Sequence, residues 1–227
     1  MSNVPTKMIS LQFALFFRDI SDRPDIEFSD INESMMNIFD AMPTIMPIPK
    51  EMPPDIPMIT QRSDSNEYIC NISRSRIDLH FQRINNGRSN TELLADFNAK
   101  VYSFINYVLK KRSIERFGII SRYFHEDLTA VQSIKNKYFI ESIGDVAELS
   151  LRYNRKESTL DWEINDIVEI TATVAIIDGK DKKGIFVQRD INNTTNPKKK
   201  LTAASLRKIS QEYAIQLTEE SIEALLK

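Results

Sequence analysis

The chain has 227 residues, 41% of them hydrophobic and 27% charged, so it is long enough for one large domain or two small ones with a real core. Its 30 basic and 32 acidic side chains nearly cancel, which excludes a bulk electrostatic attraction to nucleic acid or membrane. Only 5 glycines occur, too few for Gly-rich phosphate loops of the dinucleotide or P-loop kind.

The single cysteine, Cys70, excludes an intramolecular disulfide and fits a reducing compartment, so we expect a cytoplasmic protein. No apolar run approaches the ~20 residues that span a bilayer, so we expect no membrane association. The sequence contains no Cys-x-x-Cys or His-x-x-His pair. It therefore indicates neither a metal nor another cofactor.

The first predicted elements are a strand and a helix. Apolar residues alternate with more polar ones from Ile9 to Phe17, the period of a half-buried strand. Asp30 followed by Glu33 matches a capping box, and a helical apolar stripe then continues to Met42, where Pro43 ends it. We expect a helix of about three turns here.

The next segment, Pro43 to Pro57, contains six prolines. This density excludes a helix or a central strand and predicts an extended connection that lies across the surface of the fold. This Pro-rich crossover has two possible roles: a connection packed against the surface of the fold, or a segment that binds a partner.

An antiparallel meander and a long helix follow the crossover. The alternation between Met58 and Ile84 predicts strands with one solvent-facing side. Ser89 and Glu92 form a second capping box, and an apolar stripe from Leu94 to Val108 predicts a helix.

The second half of the chain shows a similar order of elements. Ile114 to His125 is strand-like, Asp127 is placed to cap a short helix that carries Leu128, and Asp178-Gly179 predicts a hairpin turn. A terminal helix is predicted from about Thr202 toward Leu225. Strands are predicted at residues 146–153, 160–164, 168–177 and 184–191.

Two strand-to-helix joints, Leu79 to Asn86 and Ile185 to Asn193, share Gln-Arg and Ile-Asn-Asn pieces. We therefore predict an α+β fold, mainly an antiparallel sheet with helices on one face. The order of elements suggests two pseudo-repeated units, each a strand, a helix, three or four strands and a helix. Residues 1–113 would form the first unit and 114–227 the second, with one continuous domain as the alternative.

The whole-chain plan resembles a sporadically distributed family of uncharacterised bacterial proteins. Four features carry the resemblance: the strand Ile9 to Phe17, the Pro-rich crossover into Gln61-Arg62-Ser63, the strand Phe117 to Tyr123, and Gln188 to Asn192 before a terminal helix. The resemblance implies a soluble accessory protein in a mobile-element or defence setting. It implies no established activity and no catalytic residue.

Several polar residues are candidates for binding a ligand or a phosphate. Arg76, Arg122 and Arg152 are predicted on the polar sides of different strands, and His80 shares the polar side of the Arg76 strand, so these residues would converge on one face if those strands are neighbours. The alternative is a solvated face of balanced charges.

A second group of candidates is Lys198, Lys199 and Lys200, which precede a helix N-terminus and oppose its dipole. Such a place suits a phosphate. The alternative is an ordinary solvated loop.

Our first functional hypothesis is a non-catalytic interaction protein that presents a sheet face or the Pro-rich crossover to a protein partner or to itself. The alternative is a nucleic-acid-binding protein that uses the polar sheet face and the Lys198–Lys200 loop. A third hypothesis, an enzyme that uses His125 with Glu126 or an arginine-lined pocket, has the fewest residues in its favour.

Overall fold

A computed structural model describes residues 6–84, 87–139, 143–196 and 199–227. The described strands form one nine-stranded sheet in the order β2-β3-β4-β5-β1-β6-β9-β8-β7, and all neighbouring strands are antiparallel. The strands are β1 (Lys7–Phe17), β2 (Thr44–Ile45), β3 (Ile59–Arg62), β4 (Tyr68–Ile72), β5 (Arg76–Gln82), β6 (Ile114–Glu126), β7 (Ser150–Thr159), β8 (Trp162–Ile177) and β9 (Lys180–Asn193).

The described helices are α1 (Pro24–Glu27), α2 (Ile31–Ser34), α3 (Asn90–Lys111), α4 (Ala130–Tyr138), α5 (Ala203–Ala214) and α6 (Glu219–Ala224). The longest of them, α3, has 22 residues and lies between β5 and β6. The capping box predicted for α3 is confirmed, because the Ser89 side chain accepts from the Glu92 amide and Glu92 reaches back to the Ser89 amide.

The described helices pack on one face of the sheet, as predicted. This face carries Leu11, Phe13 and Leu15 of β1, all fully buried. Phe104 of α3 meets Phe13 edge to face at a centroid distance of 6.1 Å. The Tyr123 hydroxyl of β6 donates to the Leu217 carbonyl just before α6 at 2.7 Å. The main core thus lies between one sheet face and the helices.

The first strand of each half lies at the centre of the sheet. β1 and β6 pair with each other, β5 lies outside β1, and β9 lies outside β6. The strands described before residue 113 and those described after it therefore belong to one sheet without a break in strand pairing. The prediction that the halves are a true repeat stays a prediction.

The strand predicted over Ile9 to Phe17 is confirmed, with one local change. A register shift between Met8 and Ser10 in the pairing with β6 marks a bulge. The extra residue puts the Met8 side chain into the core, with no exposed surface, and leaves Ile9 only partly buried.

The three-turn helix predicted after Asp30 is wrong. Between Asp30 and β2 the chain forms only the single-turn helix α2, and the Asp30 side chain makes no capping bond. Met36 and Asn37 adopt left-handed backbone conformations, which end the helix. Met42, predicted on the apolar helical face, is 89% exposed.

The Pro-rich crossover lies against the fold, in agreement with the interpretation that it is a connection packed on the surface. The Met46 amide donates to the Met58 carbonyl at 2.8 Å, and the Ser75 amide donates to the Pro54 carbonyl at 3.1 Å. Arg74 also donates to the Lys50 carbonyl at 2.8 Å. Its apolar side chains are nonetheless partly solvent-facing, since Ile45 is 64% exposed.

Several element boundaries in the second half differ from the prediction, and the strand predicted at 146–153 is β7, Ser150–Thr159. The strands predicted at 160–164 and 168–177 form one continuous strand, β8. The turn that precedes β8 lies at Leu160 and Asp161, both in left-handed conformations, and not between residues 164 and 168. The terminal helix is divided, since a 3-10 turn at Ile215–Leu217 separates α5 from α6. Leu128 precedes α4 and is 87% exposed, so its predicted place on an apolar helical face is wrong.

The hairpin turn at Asp178-Gly179 is confirmed, with both residues at positive φ. None of the described helices is both long enough and apolar enough to cross a membrane.

Candidate functional site: the open face of the sheet

The polar sides of six neighbouring strands, from β5 to β7, lie on one face of the sheet. Cross-strand partners in an antiparallel sheet point to the same side. Ser10 lies opposite Arg122, and Gln12 lies opposite His80, whereas Leu11 between them faces the helices. We call the side opposite the described helices the open face. Its members in this region are Ser10, Gln12, Phe16, Arg76, Asp78, His80, Arg116, Arg122, Gln188, Asp190, Glu169 and Arg152.

A series of side-chain hydrogen bonds joins β5 to β1 on the open face. Asp78 Oδ1 accepts from Arg76 Nη2 at 2.7 Å and from Gln12 Nε2 at 2.9 Å. Asp78 is only 6% exposed and Gln12 only 7% exposed. Because a buried carboxylate needs hydrogen-bond partners, Arg76 and Gln12 supply the donors that its burial requires.

This series of hydrogen bonds continues from Gln12 to Arg122 on β6. Arg122 Nε donates to Gln188 Oε1 at 2.8 Å. Two longer bonds run from Arg122 Nη1 to Ser10 Oγ at 3.4 Å and from Nη2 to Gln12 Oε1 at 3.5 Å. Arg122 is therefore oriented by neutral oxygens on both neighbouring strands.

The electrostatics of His80 follow from its neighbours. Burial lowers the pKa of its imidazole, Asp78 acts in the opposite direction, and the positive charges of Arg122 and Arg76 lower the pKa further. His80 is therefore neutral at pH 7 and able to both donate and accept a hydrogen bond.

Two arginines flank one aromatic ring at the end of β1. The guanidinium carbon of Arg76 lies 4.7 Å from the centroid of the Phe16 ring, and that of Arg116 lies 4.5 Å from it. Such cation–π contacts hold both guanidinium groups in place. The Nε atoms of Arg76 and Arg116 are buried without a hydrogen-bond partner within the described residues.

The residues at the centre of the open face are less exposed to solvent than the alternation of polar and apolar residues predicts. Ser10 is 8% exposed and Ala14 3% exposed although no described helix covers them. Ser10 lies opposite Arg122 and accepts from its Nη1, and Ala14 lies opposite Asp78. The rim is different, since Arg152 and Asn154 on β7 are exposed.

The structure thus brings together three of the predicted site residues, Arg76, His80 and Arg122. Arg152 lies on the same face but at the edge strand, opposite Glu169. Three strand spacings of about 4.8 Å separate β6 from β7, which puts the Cα atoms of Arg122 and Arg152 about 14 Å apart. Arg152 is therefore not part of the central network.

The lysines lie apart from this network. Lys199 Nζ is 3.3 Å from Asp161 Oδ2 and donates to the Asp161 carbonyl at 3.2 Å. Lys200 is exposed, and Lys198 lies outside the described residues. The Lys199 pairing accounts for one of the charges that the sequence left without a local role.

His125 belongs to a group of side chains that connects elements of the fold. Its Nδ1 lies 3.1 Å from Thr6 Oγ1, and Thr6 Oγ1 also donates to Glu223 Oε1 at 3.2 Å. Thr6 is only 1% exposed, so its hydroxyl is not accessible to a substrate. Glu126 instead contacts Lys182, on the opposite side of β6. The contacts of Thr6 with His125 and Glu223 thus connect the residue before β1 to β6 and α6.

Sequence reasoning missed the neutral and acidic members of the network, Gln12, Asp78 and Gln188, as binding residues. Gln12 and Asp78 share their strands' polar parity with Ser10 and His80, and that parity is the signal that identifies them. What the sequence does not contain is the order of strands, which brings β5, β1, β6 and β9 side by side.

No protein-family model matches the chain, and no curated protein matches it either.

Proposed function

We propose that this chain is a non-catalytic recognition protein that binds a partner protein on its open face. One observation carries the proposal: within the described residues, helices cover one face of a nine-stranded sheet, and the other carries a preorganised polar network. Preorganised side chains lose little conformational freedom on binding, which favours recognition.

The chemistry of the open face fits binding better than catalysis. Asp78 is engaged by Arg76 and Gln12, and no side-chain hydrogen bond to His80 forms within the described residues. A general base needs a positioned proton donor or nucleophile within hydrogen-bond reach. His80 is instead a neutral polar group beside two cations.

Two finer points belong to the same proposal. The central pairing of β1 with β6, with β5 and β9 outside them, supports a duplicated unit spanning residues 1–113 and 114–227. The accessory role in a bacterial mobile-element or defence system rests on the family resemblance alone.

Site-specific crosslinking tests the proposal. A photoreactive amino acid replaces Gln82 or Asn154, both exposed on the open face, and in a matched control replaces Lys208, exposed on α5. We expect both open-face positions to crosslink the same protein in the cell that produces the chain, and Lys208 not to. Equal crosslinking from all three positions, or none from Gln82 and Asn154, would refute binding through this face.

Self-association is distinguished from a different partner by light scattering of the purified chain. A dimer whose crosslinks join two copies through Gln82 or Asn154 assigns the open face to a homo-oligomer. A monomer that still crosslinks another protein in the cell assigns it to a heterologous partner.

Nucleic-acid binding through the polar sheet face and the Lys198–Lys200 loop is the second candidate. The arginines of the open face favour it, but the acidic side chains among them and the engagement of Lys199 with Asp161 weaken it. It predicts an affinity that falls steeply with salt. Absence of binding to single- and double-stranded DNA and RNA at ~50 mM salt would remove it.

A further inference from the structure

Arg122 is a partly buried cation near the centre of the open face that forms no ion pair within the described residues. Buried arginines normally pair with carboxylates, because a desolvated charge is otherwise unfavourable. Burial lowers the pKa of Arg122, and Asp190, the carboxylate that opposes this effect, does not contact the guanidinium. The fold thus keeps this charge partly desolvated, with hydrogen bonds to neutral oxygens but no carboxylate in contact among the described residues.

The hydrogen bonds of Arg122 leave donor capacity for a ligand. Only the Nε bond to Gln188 is short, at 2.8 Å, whereas the Nη bonds to Ser10 and Gln12 measure 3.4 and 3.5 Å. The two Nη groups form the end of a planar fork that matches a carboxylate. Gln188 therefore orients the fork, and its outer donors remain weakly used.

A second cation without an ion pair lies further along the same strand. Arg116 is six residues before Arg122, so both side chains point to the open face, about 20 Å apart along β6. Arg116 stacks on Phe16 and forms no ion pair in the part of the chain that the structure describes. Two fixed guanidinium groups at this separation match two side chains of one extended chain.

We propose that the open face binds an extended acidic segment of a partner protein, with one carboxylate on Arg122 and a second on Arg116. The inference rests on the proposed function and specifies the chemistry of the partner. His80, neutral and on the same face, provides a further hydrogen-bond donor close to the Arg122 position.

The charge pattern of the open face favours a peptide over a polyphosphate. Asp78, Glu169 and Asp190 lie on the same face as the arginines. A nucleic acid brings a phosphate at every nucleotide and would place some of them against these carboxylates. A protein segment can match the pattern, with acidic side chains at the arginines and basic or neutral ones elsewhere.

The experiment titrates the full chain with a synthetic peptide that carries two glutamates six residues apart in a Ser/Thr background. The arginine Nε–Hε NMR signals report binding at ~50 mM salt. A peptide with glutamine at both positions and a single-stranded oligonucleotide of equal length are the comparison ligands. The variants are Arg122→Gln, Arg122→Lys and Arg116→Gln, with Arg152→Gln as the matched control on the exposed edge of the same face.

We expect Arg122→Gln to weaken peptide binding by about 10- to 100-fold and Arg116→Gln by about 10-fold. Arg122→Lys keeps the charge but loses the fork, so an intermediate loss is expected. Arg152→Gln should change the affinity by less than about twofold. Thermal unfolding of each variant shows that the fold is retained.

Three results would overturn the inference: equal binding of the glutamine peptide, an equal effect of Arg152→Gln, or binding of the oligonucleotide in preference to the peptide. If these occur while Gln82 and Asn154 still crosslink a partner, the anion site is wrong and the proposed function stands. If the peptide binds through Arg122 but no partner crosslinks, the acidic-ligand site stands and partner binding in the cell fails.

Discussion

Arg189 and Asp166 form a buried, bidentate ion pair. Arg189 Nε donates to Asp166 Oδ1 at 2.7 Å, and Nη2 donates to Oδ2 at 2.8 Å. Arg189 also donates to the Gln216 carbonyl and to Ser221 Oγ, both at 2.9 Å. The pair thus connects β8 and β9 to the segment that leads into α6, on the helix-covered side of the sheet.

Removing one partner of this pair should destabilise the fold strongly. We expect Asp166→Ala to lower the free energy of unfolding by about 3–5 kcal/mol, because the Arg189 charge would stay buried without a counterion. Urea denaturation monitored by circular dichroism measures the change. The control is Lys156→Gln, which removes an exposed ion pair with Glu163 and should change the free energy by about 0–1 kcal/mol. A loss below about 1 kcal/mol for Asp166→Ala would contradict this account.

A methyl group at Gly184 should not fit. A Cβ there would clash with the His125 carbonyl oxygen and lie 2.6 Å from the Phe124 ring. We expect Gly184→Ala to destabilise the protein by about 1–3 kcal/mol, measured as a lower thermal midpoint. Gly118→Ala is the matched control, since its Cβ would meet only Asn192 Cβ at 3.9 Å, an ordinary contact. Equal midpoints for the two variants would show that the strand shifts freely at Gly184.

Cys70 should be unreactive in the folded protein. Its side chain is completely buried, and this burial raises the pKa of the thiol, so the reactive thiolate is scarce at pH 8. We expect iodoacetamide labelling, followed by mass spectrometry, to be slow without denaturant and fast in urea. Rapid labelling under native conditions would indicate local opening of β4.

Protonation of His80 should oppose folding. Its pKa is lowered in the folded state, so below its ordinary value of about 6.5 the unfolded chain binds the proton more readily. Stability should therefore fall as the pH decreases from about 7.5 to about 5.5, and His80→Gln should lose less over this range. Urea midpoints across the range measure both chains, and His125, present in both, cancels in the comparison. Parallel pH profiles would argue against a depressed pKa.

Sequence patterns predicted the elements whose signals are local. The Ser89–Glu92 capping box and the apolar stripe of α3 lie within one helix, and the Asp178-Gly179 turn lies within one hairpin. The helix after Asp30 was wrong because the left-handed residues Met36 and Asn37 end it; Asn tolerates this conformation, but Met rarely adopts it.

The candidate site depends on long-range pairing. Polar parity predicted that Arg76, His80 and Arg122 share a face only if their strands are neighbours. The insertion of β1 between β5 and β6, together with a bulge at Ile9, sets which residues meet, and strand order and register of this kind are not encoded in any single segment. The buried pair of Arg189 and Asp166 was missed for the same reason.

The unbroken pairing of β1 with β6 also limits how the protein can engage a ligand. These strands run beside each other from Lys7 to Phe17, so the two halves of the chain cannot open or close about a hinge between them. Arg116 and Arg122 lie six residues apart on the single strand β6, so their spacing is fixed before any encounter. If the open face binds the acidic segment that we propose, that segment must adapt its own shape to this spacing, and it gains no affinity from the protein closing around it.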